Sequence, residues 1–206
     1  MTTRTLLLAT HNRGKFRELQ QYLAELPLVL AGLDSFPSIQ PVAEVGDTFT
    51  ENAELKASGY ARQTGLLTLA DDSGLQVDAL GGAPGVHSAR YAFAGASDHD
   101  RVSKLLTELS EVRVGKRTAR FVSVIAIADE SGDVIHVSEG RIEGRIAMAS
   151  SGSNGFGYDP VFIPNGWDQS FGELESTIKG RISHRAQALA VASDFLRTLT
   201  VPLGGR

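Results

Sequence analysis

Two hydrophobic periods alternate along this chain. Leu6-Leu7-Leu8-Ala9 is a short continuous apolar run, the pattern of a buried strand, and Phe16, Leu19, Leu23 and Leu26 then recur at helical spacing up to the breaker Pro27. The opening therefore predicts strand, polar loop and helix. Thr48 followed by Glu51 makes a capping-box pattern, and the helix it starts buries Ala53, Ala57 and Tyr60 before Gly65 stops it. Leu66 to Ala70 reads as a second buried strand that ends on Asp71-Asp72-Ser73-Gly74. Ser97 opens another capped helix with Val102, Leu105, Leu106 and Leu109 inward, and Ala119 to Ala128 is a long strand rich in β-branched residues. The turn Ser131-Gly132-Asp133 folds that strand back into Val134 to Ile142 as a hairpin, and Ser183 caps a last helix carrying Leu189, Ala192, Leu196 and Leu199 on one face.

Strands interleaved with helices and then joined by a hairpin predict an α/β fold with a mixed sheet rather than an all-parallel one. At 206 residues and 42% hydrophobic content the chain suits one domain with a real core, residues 1–206, without repeat or linker. Its 20 Lys and Arg against 24 Asp and Glu lack the basic footprint of a nucleic-acid binder. The absence of cysteine excludes disulfides, zinc-thiolate sites and a cysteine nucleophile, and fits a cytoplasmic location. No apolar stretch is long enough to span a membrane, and Leu6 to Ala9 is too short for the core of a signal peptide.

Four segments carry candidate chemistry. Thr10-His11-Asn12-Arg13-Gly14-Lys15 lies between a strand and a helix N-terminus, where backbone N–H groups, Arg13 and Lys15 suit an anion, although an ordinary turn capped by Asn12 or Thr10 fits equally. It is not a Walker loop, because the pattern Gly-x-x-x-x-Gly-Lys-Ser/Thr is missing. Asp71-Asp72-Ser73-Gly74 offers adjacent carboxylates for Mg²⁺ at a strand end, or else an acidic turn; Glu44 and Glu51 are further ligand candidates. In Gly152-Ser153-Asn154-Gly155-Phe156-Gly157-Tyr158-Asp159-Pro160, glycines bracket Phe156, which is either a stacking platform for a base or a core plug. Lys179 with Ser183-His184-Arg185 gathers donors near a helix start, suited to a polyanion or a carbonyl oxygen, or makes a solvated basic turn. His87 and Arg90 read as ordinary surface or dimer residues, and no Ser/His/Asp hydrolase set stands out.

Taken in order, Thr10-x-Asn12-x-x-Lys15, Thr48-Phe49-x-Glu51-Asn52-Ala53-x-x-Lys56-Ala57, Ala70-Asp71-Asp72-Ser73-Gly74-Leu75, Gly81-Gly82-Ala83-Pro84-Gly85, Phe156-Gly157-Tyr158-Asp159-Pro160 and Ser183-His184-Arg185 closely resemble the inosine/xanthosine triphosphate pyrophosphatase family. The resemblance implies an elongated mixed sheet flanked by helices, two lobes with the nucleotide in the cleft between them, and a homodimer. It also implies hydrolysis between the α- and β-phosphates of deaminated purine nucleotides with Mg²⁺. By position it gives the triphosphate to Thr10 through Lys15, magnesium and the attacking water to Glu44 and Asp72, and proton acceptance to Asp72. Ser73 then contacts the substrate, Phe156, Gly157, Tyr158 and Asp159 enclose base and sugar, and Lys179, His184 and Arg185 complete the base and phosphate contacts. Ala43 departs from the family, which often carries a first acidic residue there, so Glu44 is the sole carboxylate at that spot. The rivals are a Maf-like nucleotide pyrophosphatase acting on other bases, which the motif set opposes, and a non-catalytic nucleotide sensor or RNA-binding protein on the same scaffold, which the joint presence of Asp72, Glu44 and Lys15 opposes.

Overall fold

The computed structural model describes residues 4–93 and 95–200. In chain order the main elements are β1 (Arg4–Leu8), α1 (Arg13–Leu23), β2 (Leu28–Gly32), α2 (Phe49–Thr64), β3 (Leu67–Val77), α3 (Asp98–Glu108), β4 (Thr118–Ala128), β5 (Val134–Ile146), β6 (Phe162–Pro164), α4 (Ser176–Ile182) and α5 (His184–Thr200). The strands form one six-stranded sheet in the order β2-β1-β3-β4-β5-β6. β1 runs parallel to β2 and β3 while β5 and β6 are antiparallel, so the sheet is mixed, as the interleaved pattern predicted.

The chain divides into two compact units. The first holds residues 4–72, Ser123–Glu139 and 187–200, and the second holds Ser73–Val122 and Gly140–Ala186. In the first unit Leu6, Leu7 and Leu8 are all fully buried, so β1 is covered on both faces and needs no alternation. Leu19 and Leu23 of α1 and Leu189, Ala192 and Leu196 of α5 pack with Leu6, Leu8, Leu67, Leu69, Ile125 and Ile127 into its core. The core of the second unit gathers Leu75, Val77, Val102, Leu105, Phe121, Ile146, Phe162 and Phe171.

Local signals account for the element ends. Thr48 accepts from Glu51 N while the Glu51 carboxylate accepts from Thr48 N, which starts α2, and Gly65 at φ 65° supplies the left-handed residue that ends it. Ser97 and Asp100 make the same reciprocal cap on α3, and Ser183 Oγ accepts from Ala186 N at the start of α5. Asp129 Oδ1 accepts from Ser131 N and Asp133 N, closing the turn between β4 and β5.

Three features differ from the sequence reading. β3 does not stop at Ala70 but continues through Asp71-Asp72-Ser73-Gly74 to Val77, so the acidic pair lies inside a strand and not on a turn. The carboxylates are tolerated there because lysine and hydroxyl partners meet them, as described below. β2 follows Pro27 directly as an edge strand, with Val29 about half exposed, and its mixed exposure lacks the period of a buried strand. The short α4 precedes the helix capped by Ser183.

Candidate active site

The first unit brings the acidic pair of β3 together with two lysines. Asp71 is 1% exposed; Lys15 Nζ stands 3.0 Å from its Oδ2 and Ser123 Oγ donates to its Oδ1 at 2.6 Å. Lys56 Nζ donates to Asp72 Oδ1 at 2.7 Å and to the Asp71 carbonyl at 3.0 Å, and lies 3.3 Å from Glu44 Oε2. Glu44 reaches this point because Asn52, fully buried, holds the Gly46 peptide by accepting from its N and donating to its O. A Cβ at Gly46 would come within 2.6 Å of Glu51 Cβ, so only glycine permits that approach.

Burial pushes the Asp72 carboxyl up to about 6, with Lys56 and Lys15 pulling it back down. Burial opposes the charge on Lys56, but the carboxylates of Asp72, Glu44 and Asp71 outweigh it and raise the ammonium above its usual range. Asp72 Oδ2 is buried without a hydrogen-bond partner among the described residues. An orphaned carboxylate oxygen beside Glu44 is a donor set suited to a hard cation, and Mg²⁺ commonly binds through one or two carboxylates with water and substrate phosphate completing the sphere. No group of three or more His, Cys, Asp or Glu side chains is placed to hold a metal among the described residues. Glu51, a ligand candidate by sequence, instead spends its carboxylate on Asp47 N and Thr48 N.

The Thr10–Lys15 segment is a capped helix start. Asn12 Oδ1 accepts from Gly14 N at 2.8 Å and Lys15 N at 3.0 Å, and Thr10 Oγ1 accepts from Asn12 N at 3.1 Å. Those three N–H groups are therefore committed to the turn and cap, which leaves the helix dipole and the side chains as the main attraction for an anion. Arg13 is exposed, and the Tyr60 hydroxyl lies 3.3 Å from His11 Nε2.

The other candidates lie in the second unit, around Phe156. Asp159 is 2% exposed, and its Oδ2 accepts from Lys179 Nζ at 2.6 Å and from Phe156 N at 2.8 Å. Lys179 Nζ sits 4.6 Å from the Phe156 ring centroid and the Arg185 guanidinium carbon 5.7 Å from it. Gly155 at φ 73° lets the chain pass the carboxylate, since a Cβ there would meet Asp159 Oδ2 at 1.9 Å. Arg185 donates to Ser73 Oγ at 2.7 Å, His184 stacks on Phe121 at 4.7 Å between centroids, and Gly157 N donates to Asp98. Tyr158 is buried and donates its hydroxyl to the Ser88 carbonyl at 2.9 Å, so it serves the core rather than an open surface. His87 and Arg90 are exposed on a short 3₁₀ segment.

The pattern of the Ham1 family matches residues 6–195. The chain belongs to that family. Among proteins similar to this Ham1-family chain, the dITP/XTP pyrophosphatase of Methylococcus capsulatus is 48% identical over 202 residues, covering 96% of this chain and 98% of its own. That of Symbiobacterium thermophilum is 48% identical, covering 97% and 98%. The solved HAM1 protein of Coxiella burnetii superimposes with a TM-score of 0.86 at 40% identity, over 95% of this chain and all of its own. The Ham1 protein of Staphylococcus aureus gives 0.84 at 36% identity, over 96% and 100%. The ordered motifs thus pointed to the right family.

Sequence reasoning assigned no role to Lys56, Ser123 or Asp98, and it read Asp71 only as the neighbour of Asp72 in a carboxylate pair for Mg²⁺ or in an acidic turn. For Lys56 a signal was present: Ala53, Lys56, Ala57 and Tyr60 share one face of α2, and a lysine in an apolar stripe demands a buried partner. For Ser123, inside the apolar run of β4, and for Asp98, in the first turn of α3, no local pattern announces the contact.

Proposed function

We propose that this chain hydrolyses deaminated purine nucleoside triphosphates, those of inosine and xanthosine and their deoxy forms, to the monophosphate and pyrophosphate, so that they are not built into DNA or RNA. Membership of a family with dITP/XTP pyrophosphatases at 48% identity supports the reaction class. The observation that carries the assignment of roles is the buried Asp72 carboxylate with one bare oxygen, flanked by Lys15 and Lys56.

In this reading Asp72 accepts a proton from the water that attacks the α-phosphorus. A carboxyl raised to about 6 by burial is a better base than an exposed one and remains ionised at neutral pH. Lys15, held by Asp71, faces the triphosphate and offsets its charge, and Thr10 to Gly14 present the positive end of α1. Glu44 and Asp72 would hold Mg²⁺, which when bound supplies neutralisation of the charge that builds on the leaving pyrophosphate. On the second unit, Phe156 gives a ring face to the base and Arg185 and His184 give donors to the oxygen at position six, where adenine carries an amino group. Asp159 and Lys179 fix the Phe156 backbone and ring. Ser73 orients Arg185. The family resemblance further supports a homodimer with a small-molecule substrate, and length, charge and the absence of cysteine support a single cytoplasmic domain with no stable nucleic-acid or membrane partner. Among the described residues, no helix is long and apolar enough to cross a membrane.

A panel of nucleoside triphosphates incubated with the protein and Mg²⁺, reading pyrophosphate and orthophosphate separately, tests the reading. Pyrophosphate from inosine and xanthosine triphosphates, with little from adenosine or guanosine triphosphate, is expected. Release of orthophosphate alone, or equal turnover of all purines, would overturn it.

A further inference from the structure

Lys56 occupies a costly position. It stands on the buried face of α2, 8% exposed, with its ammonium 2.7 Å from Asp72 Oδ1, 3.3 Å from Glu44 Oε2 and 3.0 Å from the Asp71 carbonyl. The two carboxylates suited to a divalent cation are thus already bridged by a cation of the chain itself. Lys15 and Asp71 stand beside this group as a pair of opposite charges that cancel, so the carboxylates of Asp72 and Glu44 with the Lys56 ammonium leave a single net negative charge where a dication has to bind.

We infer that Lys56 makes metal binding conditional on the triphosphate: the free protein holds a divalent cation weakly, and the cation is retained only together with the substrate's own negative charge. The physical basis is additive Coulomb interaction in a poorly solvated place. An ammonium within a few ångströms of the carboxylates repels a dication nearly as strongly as one carboxylate attracts it, and the triphosphate restores the balance for both cations. Lys56 is thereby a positioning residue with two duties: it keeps the Glu44 and Asp72 carboxylates together before substrate arrives, and it prevents the site from filling with metal alone. A free enzyme that does not hold metal tightly also leaves Asp72 unencumbered until the nucleotide is present. The inference rests on the metal assignment proposed above and adds the order of events to it.

The test is a titration of Mn²⁺ into nucleotide-free protein, followed by the loss of the free-ion electron paramagnetic resonance signal. The native chain is expected to bind with a roughly millimolar Kd, in the range of sites poor in ligand charge. Lys56→Gln, and Lys56→Met as a second uncharged variant should the first fail to fold, are expected to bind about tenfold or more tightly than native. Lys56→Arg, which keeps the charge, is expected to stay within about threefold of native. Micromolar binding by the native protein without nucleotide overturns the inference with no variant needed, as does a folded uncharged variant that binds no more tightly than native. Pyrophosphate release from inosine triphosphate by the same preparation separates the two levels. Turnover combined with tight metal binding in the free protein removes only the conditional binding, whereas no turnover removes the proposed function itself.

Discussion

Asp159→Asn isolates the charge that organises the Phe156 platform. The substitution keeps the side-chain shape and an oxygen that can still accept from Phe156 N, but it leaves the Lys179 ammonium without its anion 2.6 Å away. The side chains of Lys179 and Asp159 are 8% and 3% exposed, so water cannot take the anion's place. Removing one partner of such a buried pair costs about 3–5 kcal/mol, far more than the roughly 0–1 kcal/mol of an exposed ion pair. For a chain of this size each kcal/mol lowers the melting temperature by about 2–4 °C, so a fall of about 6–20 °C is expected. Urea unfolding at constant slope measures the free energy directly. Replacing Lys179 by Met in the Asp159→Asn background removes the ammonium that the pair held and is expected to recover much of the loss, giving a coupling energy well outside additivity. A loss below about 1 kcal/mol for Asp159→Asn, or strictly additive single and double variants, would refute the claim that this pair is a buried electrostatic anchor.

Asp72→Asn is expected to lower kcat by about 10²-fold or more while nucleotide binding stays measurable by calorimetry, because the amide keeps shape but accepts no proton; retention of half the native kcat would remove its assigned role. In the metal-free protein the Asp72 carboxyl is expected to titrate near 6, well above its ordinary 3.8, by ¹³C NMR; titration at or below 3.8 would contradict the dominance of burial over Lys56 and Lys15. Arg185→Ala is expected to cut kcat/KM for inosine triphosphate by about tenfold or more and leave adenosine triphosphate little changed, since a lost bond to a charged donor is worth about 1.5–3 kcal/mol. Phe156→Ala should instead weaken both, because stacking reads a ring face, and an Arg185→Ala protein that kept its full preference would sink the account of base selection.

How legible all this was in the sequence depended on how local the deciding interaction is. The capping box at Thr48, the cap at Ser97, the glycine stop after α2 and the turn at Ser131-Gly132-Asp133 depend on residues within a few positions of one another, and each was read correctly. The strand through Asp71 and Asp72 was cut short because a carboxylate in a strand is unfavourable until its partners are known, and those come from α1, α2 and β4. Separation in sequence likewise hid Ser123, 52 residues from Asp71, and the pairing of Lys179, itself a candidate, with Asp159 20 residues away. The ordered motifs identified the family where no single one did. They could not tell which polar groups are engaged inside the protein, as the Tyr158 hydroxyl is by the Ser88 carbonyl and the Asp159 carboxylate by Lys179 and Phe156 N.

The central claim is that water attacks the α-phosphorus and pyrophosphate leaves. Hydrolysis of inosine triphosphate in ¹⁸O-labelled water, with both products examined by mass spectrometry, tests it directly. The account predicts one labelled oxygen in the inosine monophosphate and none in the pyrophosphate. Label in the pyrophosphate, with none in the monophosphate, would place the attack on the β-phosphorus and contradict it.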